Sequence, residues 1–78
     1  MSILVKTKNA TYVVDRDLKR WMRISKSHPR ADDGEWVDGG FTLGEVGQSA
    51  YAHFANHPDG ATGRTTSRII AIKEASDD

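Results

Sequence analysis

Apolar residues in this chain fall in short alternating runs rather than in the stripes of a helix. Alternation of β-branched and aromatic residues with polar ones over four to eight positions marks a strand with one buried face. The stretch Gly63-Arg64-Thr65-Thr66-Ser67-Arg68-Ile69-Ile70-Ala71-Ile72-Lys73 is rich in β-branched residues, lacks proline and has glycine only at its start. It reads as the longest strand of a small antiparallel sheet, able to sit between two neighbours.

Ser2 to Lys6 alternates weakly and opens a first strand, and Lys6-Thr7-Lys8-Asn9 makes a polar turn in which Asn9 suits a left-handed conformation. Ala10 to Asp15 returns as a second strand. Turn formers then fill Asp15-Arg16-Asp17-Leu18-Lys19, and the β pattern resumes over Arg20 to Ser25, which predicts a hairpin with a four- or five-residue loop. Pairing Asp15 with Arg20 sets Val14 opposite Trp21, Val13 opposite Met22 and Tyr12 opposite Arg23, and opposed residues share a side of the sheet. One face then carries Tyr12, Val14, Trp21 and Arg23, the other Thr11, Val13, Met22 and Ile24. At ~25 cal/mol per Å2 the aromatic set removes more apolar area from water, so it is expected inside. A one-residue slip in the pairing would undo that choice.

Lys26 to Gly34 has the composition of a mobile surface loop, with Pro29 disfavouring a helix through His28 and Gly34 closing a turn. Glu35-Trp36-Val37 is a short strand cut off by Asp38-Gly39-Gly40, and Phe41-Thr42-Leu43 precedes a turn at Gly44 to Gly47. Gln48 to His57 fits two patterns. Tyr51, Phe54 and Ala55 share a helical face, whereas the shortness of the segment and the flanking glycines and Pro58-Asp59-Gly60 favour a strand, which is the expectation. The tail from Ala75 to Asp78 is expected to fray. The total is five to six short strands joined by Gly- and Asp-rich turns, so the fold class is all-β: a small antiparallel SH3-like barrel, one domain over residues 1–78.

Composition narrows the chemistry. The chain has 78 residues and no cysteine, which removes disulfides, thiolate zinc sites and a cysteine nucleophile together. A domain this small buries only somewhat more than ~60% of its unfolded surface, so its stability is modest unless self-association adds to it. The longest apolar run near the start, Ile3-Leu4-Val5, is too short for a signal peptide or a membrane span, and a cytoplasmic protein is expected. Net charge is zero, which argues against broad nucleic-acid affinity, but the charge is unevenly placed. Residues 1–30 carry eight Lys and Arg against two Asp, and residues 31–62 carry six acidic residues and no Lys or Arg. Pairing of the two stretches within one barrel is the simpler expectation; a dipolar, head-to-tail assembly is the other.

Read in order, Tyr12-x-Val14-Asp15, Lys19-Arg20-Trp21-x-Arg23, Gly34-x-Trp36, Val46-Gly47-Gln48 and Gly63-Arg64-Thr65-Thr66-Ser67-x-Ile69 resemble small proteins of actinobacterial phages. Those carry a Y-x-V-D hairpin, a tryptophan-bearing middle, a V-G turn and a closing T-S-x-V type strand, and generally have no assigned function. The resemblance spans about residues 10–72; Ile69 stands where Val is usual, and Asn56 to Thr62 has no counterpart. It implies an accessory phage protein acting in the host cytoplasm, and it transfers no catalytic residues.

Motifs for chemistry are weak. His53 and His57 would converge on a metal only on a helix; on a strand they lie ~13 Å apart. Asp32, Asp33 and Asp38 lack the alternation and closing carboxylate of a calcium loop. Ser49, His53 and Asp59 can be drawn as a triad, but a barrel this small has little room for the pocket and oxyanion hole such a site needs. Thr65, Thr66 and Ser67 read as strand hydroxyls. No enzyme, metal or cofactor is therefore expected. The mixture of cations and apolar residues on the second hairpin is the best candidate for contact, with Arg20, Met22, Arg23 and Ile24 at its centre and Arg64 and Arg68 beside them. The expected function is non-enzymatic binding of a protein partner or a second copy, with no membrane. The alternative is a small nucleic-acid-binding barrel that uses the same cations.

Overall fold

The computed structural model describes residues 2–25, 33–55 and 60–75. Most of the loop expected over residues 26–34, and most of the tail expected to fray, lie outside the described residues. The chain forms seven antiparallel strands: β1 (Ser2–Thr7), β2 (Ala10–Asp15), β3 (Arg20–Ser25), β4 (Trp36–Asp38), β5 (Phe41–Thr42), β6 (Ser49–His53) and β7 (Gly63–Ala75). No helix occurs among the described residues, and the 48–57 segment carries a strand as expected. The strand order is β4-β3-β2-β1-β7-β6-β5, a sheet curled into a small barrel.

The thirteen-residue β7 is the element on which the curl turns. Its first half pairs with β6 and its second with β1, and the register slips once on each side, between Ser49 and Tyr51 and between Lys6 and Thr7. Such bulges bend a strand and increase its twist, which is what lets one strand serve two differently oriented parts of a sheet. Thr66, buried at the first irregularity, accepts the Ala50 N–H at 2.9 Å and donates to the Ser67 carbonyl at 2.8 Å. Its hydroxyl thus replaces a ladder bond that the bulge removes.

Closure occurs on the opposite side of the barrel. Gly39 and Gly40 separate β4 from β5, the break that the sequence places at Asp38-Gly39-Gly40. Gly39 N–H donates to the Lys19 carbonyl, while His53 N–H and Ala55 N–H donate to the carbonyls of Gly40 and Asp38, all at 2.8 to 2.9 Å. The kink therefore joins β3 to β6. The terminal strands are three and two residues long and run into each other, so they present no long free edge among the described residues.

The β2–β3 register is the one the alternation predicts, from Asp15 opposite Arg20 to Tyr12 opposite Arg23. Ile3, Val5, Ala10, Tyr12, Val14, Trp21, Ala50, Ala52 and Ile69 form the buried core. Trp21 is fully enclosed, with ring centroids 5.9 Å from Tyr12, 5.7 Å from Phe54 and 6.4 Å from Phe41. Its indole N–H donates to the His53 carbonyl at 2.9 Å, so the largest side chain is both packed and satisfied.

One turn differs from expectation. Asn9 is not left-handed; its N–H is held by the Ser67 hydroxyl at 3.1 Å, and Thr7 bridges the turn by bonding both the N–H and the carbonyl of Ala10. Lys19, with φ of 51°, takes the left-handed position instead, at the end of the β2–β3 loop.

Gly39 has φ of 148°, and a Cβ placed there would run into the backbone carbonyl of His53. Gly39→Ala is expected to cost more than ~2 kcal/mol, because the closing carbonyl would have to move. Gly47→Ala, at φ of 96° but facing open space, is expected to cost only about 1 kcal/mol. Urea midpoints of the two variants measure the difference.

Candidate protein-binding face

Because opposed residues share a side of a sheet, the registers alone lay out the outer surface. Trp36 opposes Met22, Met22 opposes Val13, Val13 opposes Leu4 and Leu4 opposes Lys73, giving one row across five strands. At ~4.8 Å per strand its apolar part, from Trp36 to Leu4, is roughly 14 Å long. On one flank lies the row Asp38–Arg20–Asp15–Ser2, and on the other Ile24–Thr11–Lys6–Ala71. An apolar stripe thus runs between two polar or mixed rows, with Trp36 40% and Ile24 48% exposed.

Arg20 organises one end of the stripe. Its guanidinium carbon lies 4.1 Å from the centroid of the Trp36 ring, and its Nε lies 3.3 Å from Asp15 Oδ2. Asp15 also accepts the N–H groups of Asp17 and Leu18 at 3.2 Å each, which shapes the β2–β3 loop. Its pKa is lowered, chiefly by the Leu18 N–H, against the opposing effect of desolvation and with help from Arg20 and the Asp17 N–H. A cation stacked on an indole and fixed by a carboxylate loses little freedom on contact, and Trp, Arg and Met are the residues enriched where proteins bind tightly.

The outer side of the other half of the barrel is different. Thr42, Tyr51 and Thr65 oppose one another there, and His53, whose ring meets Tyr51 edge-on at 4.8 Å, bonds Thr42 through Nε2 at 2.8 Å. This surface is hydroxyl-rich and has no apolar stripe.

Of the six residues expected at the contact, Arg20, Met22 and Ile24 lie together on the outer face. Arg23 does not. It is only 4% exposed and points inward opposite Tyr12, where Nη1 meets Asp33 Oδ1 at 2.7 Å. Burial works against its charge, but the Asp33 carboxylate and the Tyr12 hydroxyl outweigh that and raise its pKa. The alternation already put Arg23 on the Tyr12–Trp21 side; what it could not supply was the internal carboxylate that allows a guanidinium there. Arg64 is also displaced: it lies over the rings of Phe54 and Trp21, at 5.2 and 5.9 Å, capping the aromatic core. Arg68 is exposed on β7 opposite Ser49, just beyond the slip between Ser49 and Tyr51, and shares an open cleft of about 450 Å3 with Lys8, Ser49 and Ile70. Neither joins Met22 and Ile24.

Trp36, Val13 and Leu4 belong to the face and were missed from sequence. A three-residue strand is too short to declare its parity, so Trp36 gave no sign of which side it would take. Val13 was correctly placed opposite Met22 but not counted as contact surface. The triad drawn from Ser49 and His53 is not supported by placement, since the two lie four positions apart along β6. Asp59 and His57 lie outside the described residues.

The Arg23 guanidinium is buried against the Asp33 carboxylate, so Arg23→Met is expected to destabilise by ~3 kcal/mol, and the Arg23→Met/Asp33→Leu double variant is expected to lose less than the sum of the two single losses. Chemical denaturation of the single and double variants measures it. Asp15 supplies a pH test. A carboxylate with a folded pKa below its unfolded value of ~4 stabilises fully above that pH and loses its contribution as pH falls through the folded value. Asp15→Asn should therefore lose less stability than the parent between pH 6 and pH 3, measured by urea midpoints.

No protein-family model, no curated protein and no solved structure matches the chain.

Proposed function

We propose that this protein works by binding another protein through the outer face of β1–β4 and performs no chemistry of its own. The single observation that carries the reading is the register-aligned row Trp36–Met22–Val13–Leu4, an apolar stripe on the outer side of the sheet, exposed at Trp36 and half-buried at Met22, Val13 and Leu4, on a chain too small to spare such residues from its core. A stripe bordered by charges is the usual arrangement of a contact surface with a dry centre and a wet rim. The His53 imidazole considered for catalysis is bonded to Thr42, and the strand hydroxyls Thr66 and Ser67 are bonded to Ala50 and Asn9. The same reading takes the likeness to small actinobacterial phage proteins at face value, as an accessory protein working in the host cytoplasm.

A nucleic-acid-binding barrel is the competing reading, and the cleft between Lys8 and Arg68 is what favours it. Against it, Tyr12 and Trp21 are buried and offer no surface for stacking on bases.

Ile24→Asp places a charge on the exposed face without touching the core. It is expected to lower partner capture from host lysate at least tenfold, with far-ultraviolet dichroism unchanged. Unfolding of this variant would refute the face assignment, and capture at the parent level would refute the binding surface. Binding of single-stranded DNA or RNA at ~50 mM salt that weakens steeply as salt rises would transfer the function to the competing reading.

A further inference from the structure

We infer that the partner of this face is a second copy of the same chain, packed face to face about a two-fold axis that runs parallel to the strands between β2 and β3. The inference rests on the binding face proposed above and names its occupant.

A two-fold axis lying in the interface and parallel to a hairpin's strands sets each residue of one strand over its own cross-strand partner in the other copy. With the axis between β2 and β3, the observed register becomes the list of contacts between copies. Val13 lies over the partner's Met22 and Thr11 over the partner's Ile24. One strand further out on each side, Leu4 lies over the partner's Trp36 and Ser2 over the partner's Asp38. The apolar row is thereby covered along its whole length by its own image. An interface of this isologous kind needs a surface that is complementary to itself, and most soluble oligomers use one.

The charges decide the position of the axis. Between β2 and β3, Asp15 lies over the partner's Arg20 twice, and the two intrachain Arg20–Asp15 pairs, at 3.3 Å each, close into a ring of four alternating charges. An axis along β2 would instead set Asp15 over the partner's Asp15, and one along β3 would set Arg20 over the partner's Arg20. Like charges brought together in this way cost several kcal/mol. An axis between β1 and β2 avoids the clash, but leaves Trp36 uncovered and Arg20 without its opposite. Among axes parallel to the strands, the β2–β3 position satisfies both the stripe and the charges.

Size is consistent with a reversible dimer. Four strands at ~4.8 Å and three rows at ~6.8 Å, with side-chain radii added, make a footprint of roughly 20 × 20 Å, or on the order of 800 Å2 over the two copies, the size of a weak, transient contact. Edge-to-edge pairing, the other route to self-association, is blunted because β4 and β5 are short and joined through the Gly39–Gly40 kink.

Sedimentation velocity and light scattering over a concentration series test the proposal. The parent is expected to double its 8.6 kDa mass as concentration rises. Asp15→Arg and Arg20→Asp, each alone, put two like-charge contacts in the interface and are expected to stay monomeric. Mixed one to one, the first variant presents only cations at positions 15 and 20 and the second only carboxylates, so the mixture should recover the dimer mass as a heterodimer. Because Asp15→Arg also removes the carboxylate that holds the Asp17 and Leu18 N–H groups, Met22→Lys serves as a second variant that should lose the dimer while keeping its far-ultraviolet dichroism. A parent that remains monomeric at roughly 1 mM, variants that dimerise alone, or a mixture of folded variants that fails to associate each overturns the two-fold dimer. A monomeric parent whose partner capture is still lost with Ile24→Asp would leave the binding face standing with a different protein as its occupant. A parent that neither dimerises nor depends on Ile24 would remove both.

Discussion

The barrel depends on the enclosure of one indole. Trp21 brings a large apolar surface and a single N–H donor, and a buried donor left unpaired would cost ~1–3 kcal/mol of what the ring's burial contributes. The His53 carbonyl meets that donor from β6, on the far side of the core from the strands that flank β3. The ring can therefore be dry and satisfied only if the sheet has curled until β3 and β6 face each other. Tyr12, Phe41 and Phe54 pack around it, and the Gly39–Gly40 kink completes the backbone link between the same two strands. A chain without disulfides and with few large side chains has no second centre of comparable size.

Once Trp21 is inside, the outer surface has no freedom left. Strand parity sends Met22, and with it Val13, Leu4 and Trp36, to the other side of the sheet. The stripe is the reverse side of the core, written by the same registers. Placement is forced by geometry, but composition is not: the equivalent row on the other half of the barrel reads Thr42–Tyr51–Thr65 and carries no aliphatic side chain. A fold that needed only solubility could have put hydroxyls on both surfaces. The contrast between the two rows is what gives the apolar one functional meaning.

Much of this was legible in the sequence, for identifiable reasons. The β2–β3 register could be read because a charged pair, Asp15 and Arg20, brackets a loop of common length, and the inward face could be chosen because three large side chains shared it. β7 was legible from its β-branched run. Contacts that rest on a loop or a bulge were not. Arg23 is tolerated inside by Asp33, ten positions away and beyond the end of its strand, and no periodicity announces such a partner. Arg64 and Arg68 stand four positions apart on β7, which in a regular strand puts both on one side. The slip between Ser49 and Tyr51 falls between their cross-strand partners and sends one to the core and the other to the surface. The conformation of Asn9 was not legible because its N–H is held by the hydroxyl of Ser67, 58 positions away.

The split of charge along the chain finds its explanation in the same geometry. A basic first stretch and an acidic second one could have made a dipolar particle, yet where the described residues bring the two together they interleave. Arg23 of the first meets Asp33 of the second inside the barrel, and Asp38 of the second stands opposite Arg20 of the first on its surface. Both contacts join β3 to the segment that returns along it, and like charges at those positions would have opposed the pairing that leads into the Gly39–Gly40 closure. The charge pattern thus selects the strand that lies beside β3, while the alternation within β3 selects which side is dry. These are independent instructions, and Arg20 obeys both: it pairs laterally with Asp15 through its charge, and it stacks on Trp36 through its face. It is the one position at which the folding pattern and the proposed contact surface cannot be separated.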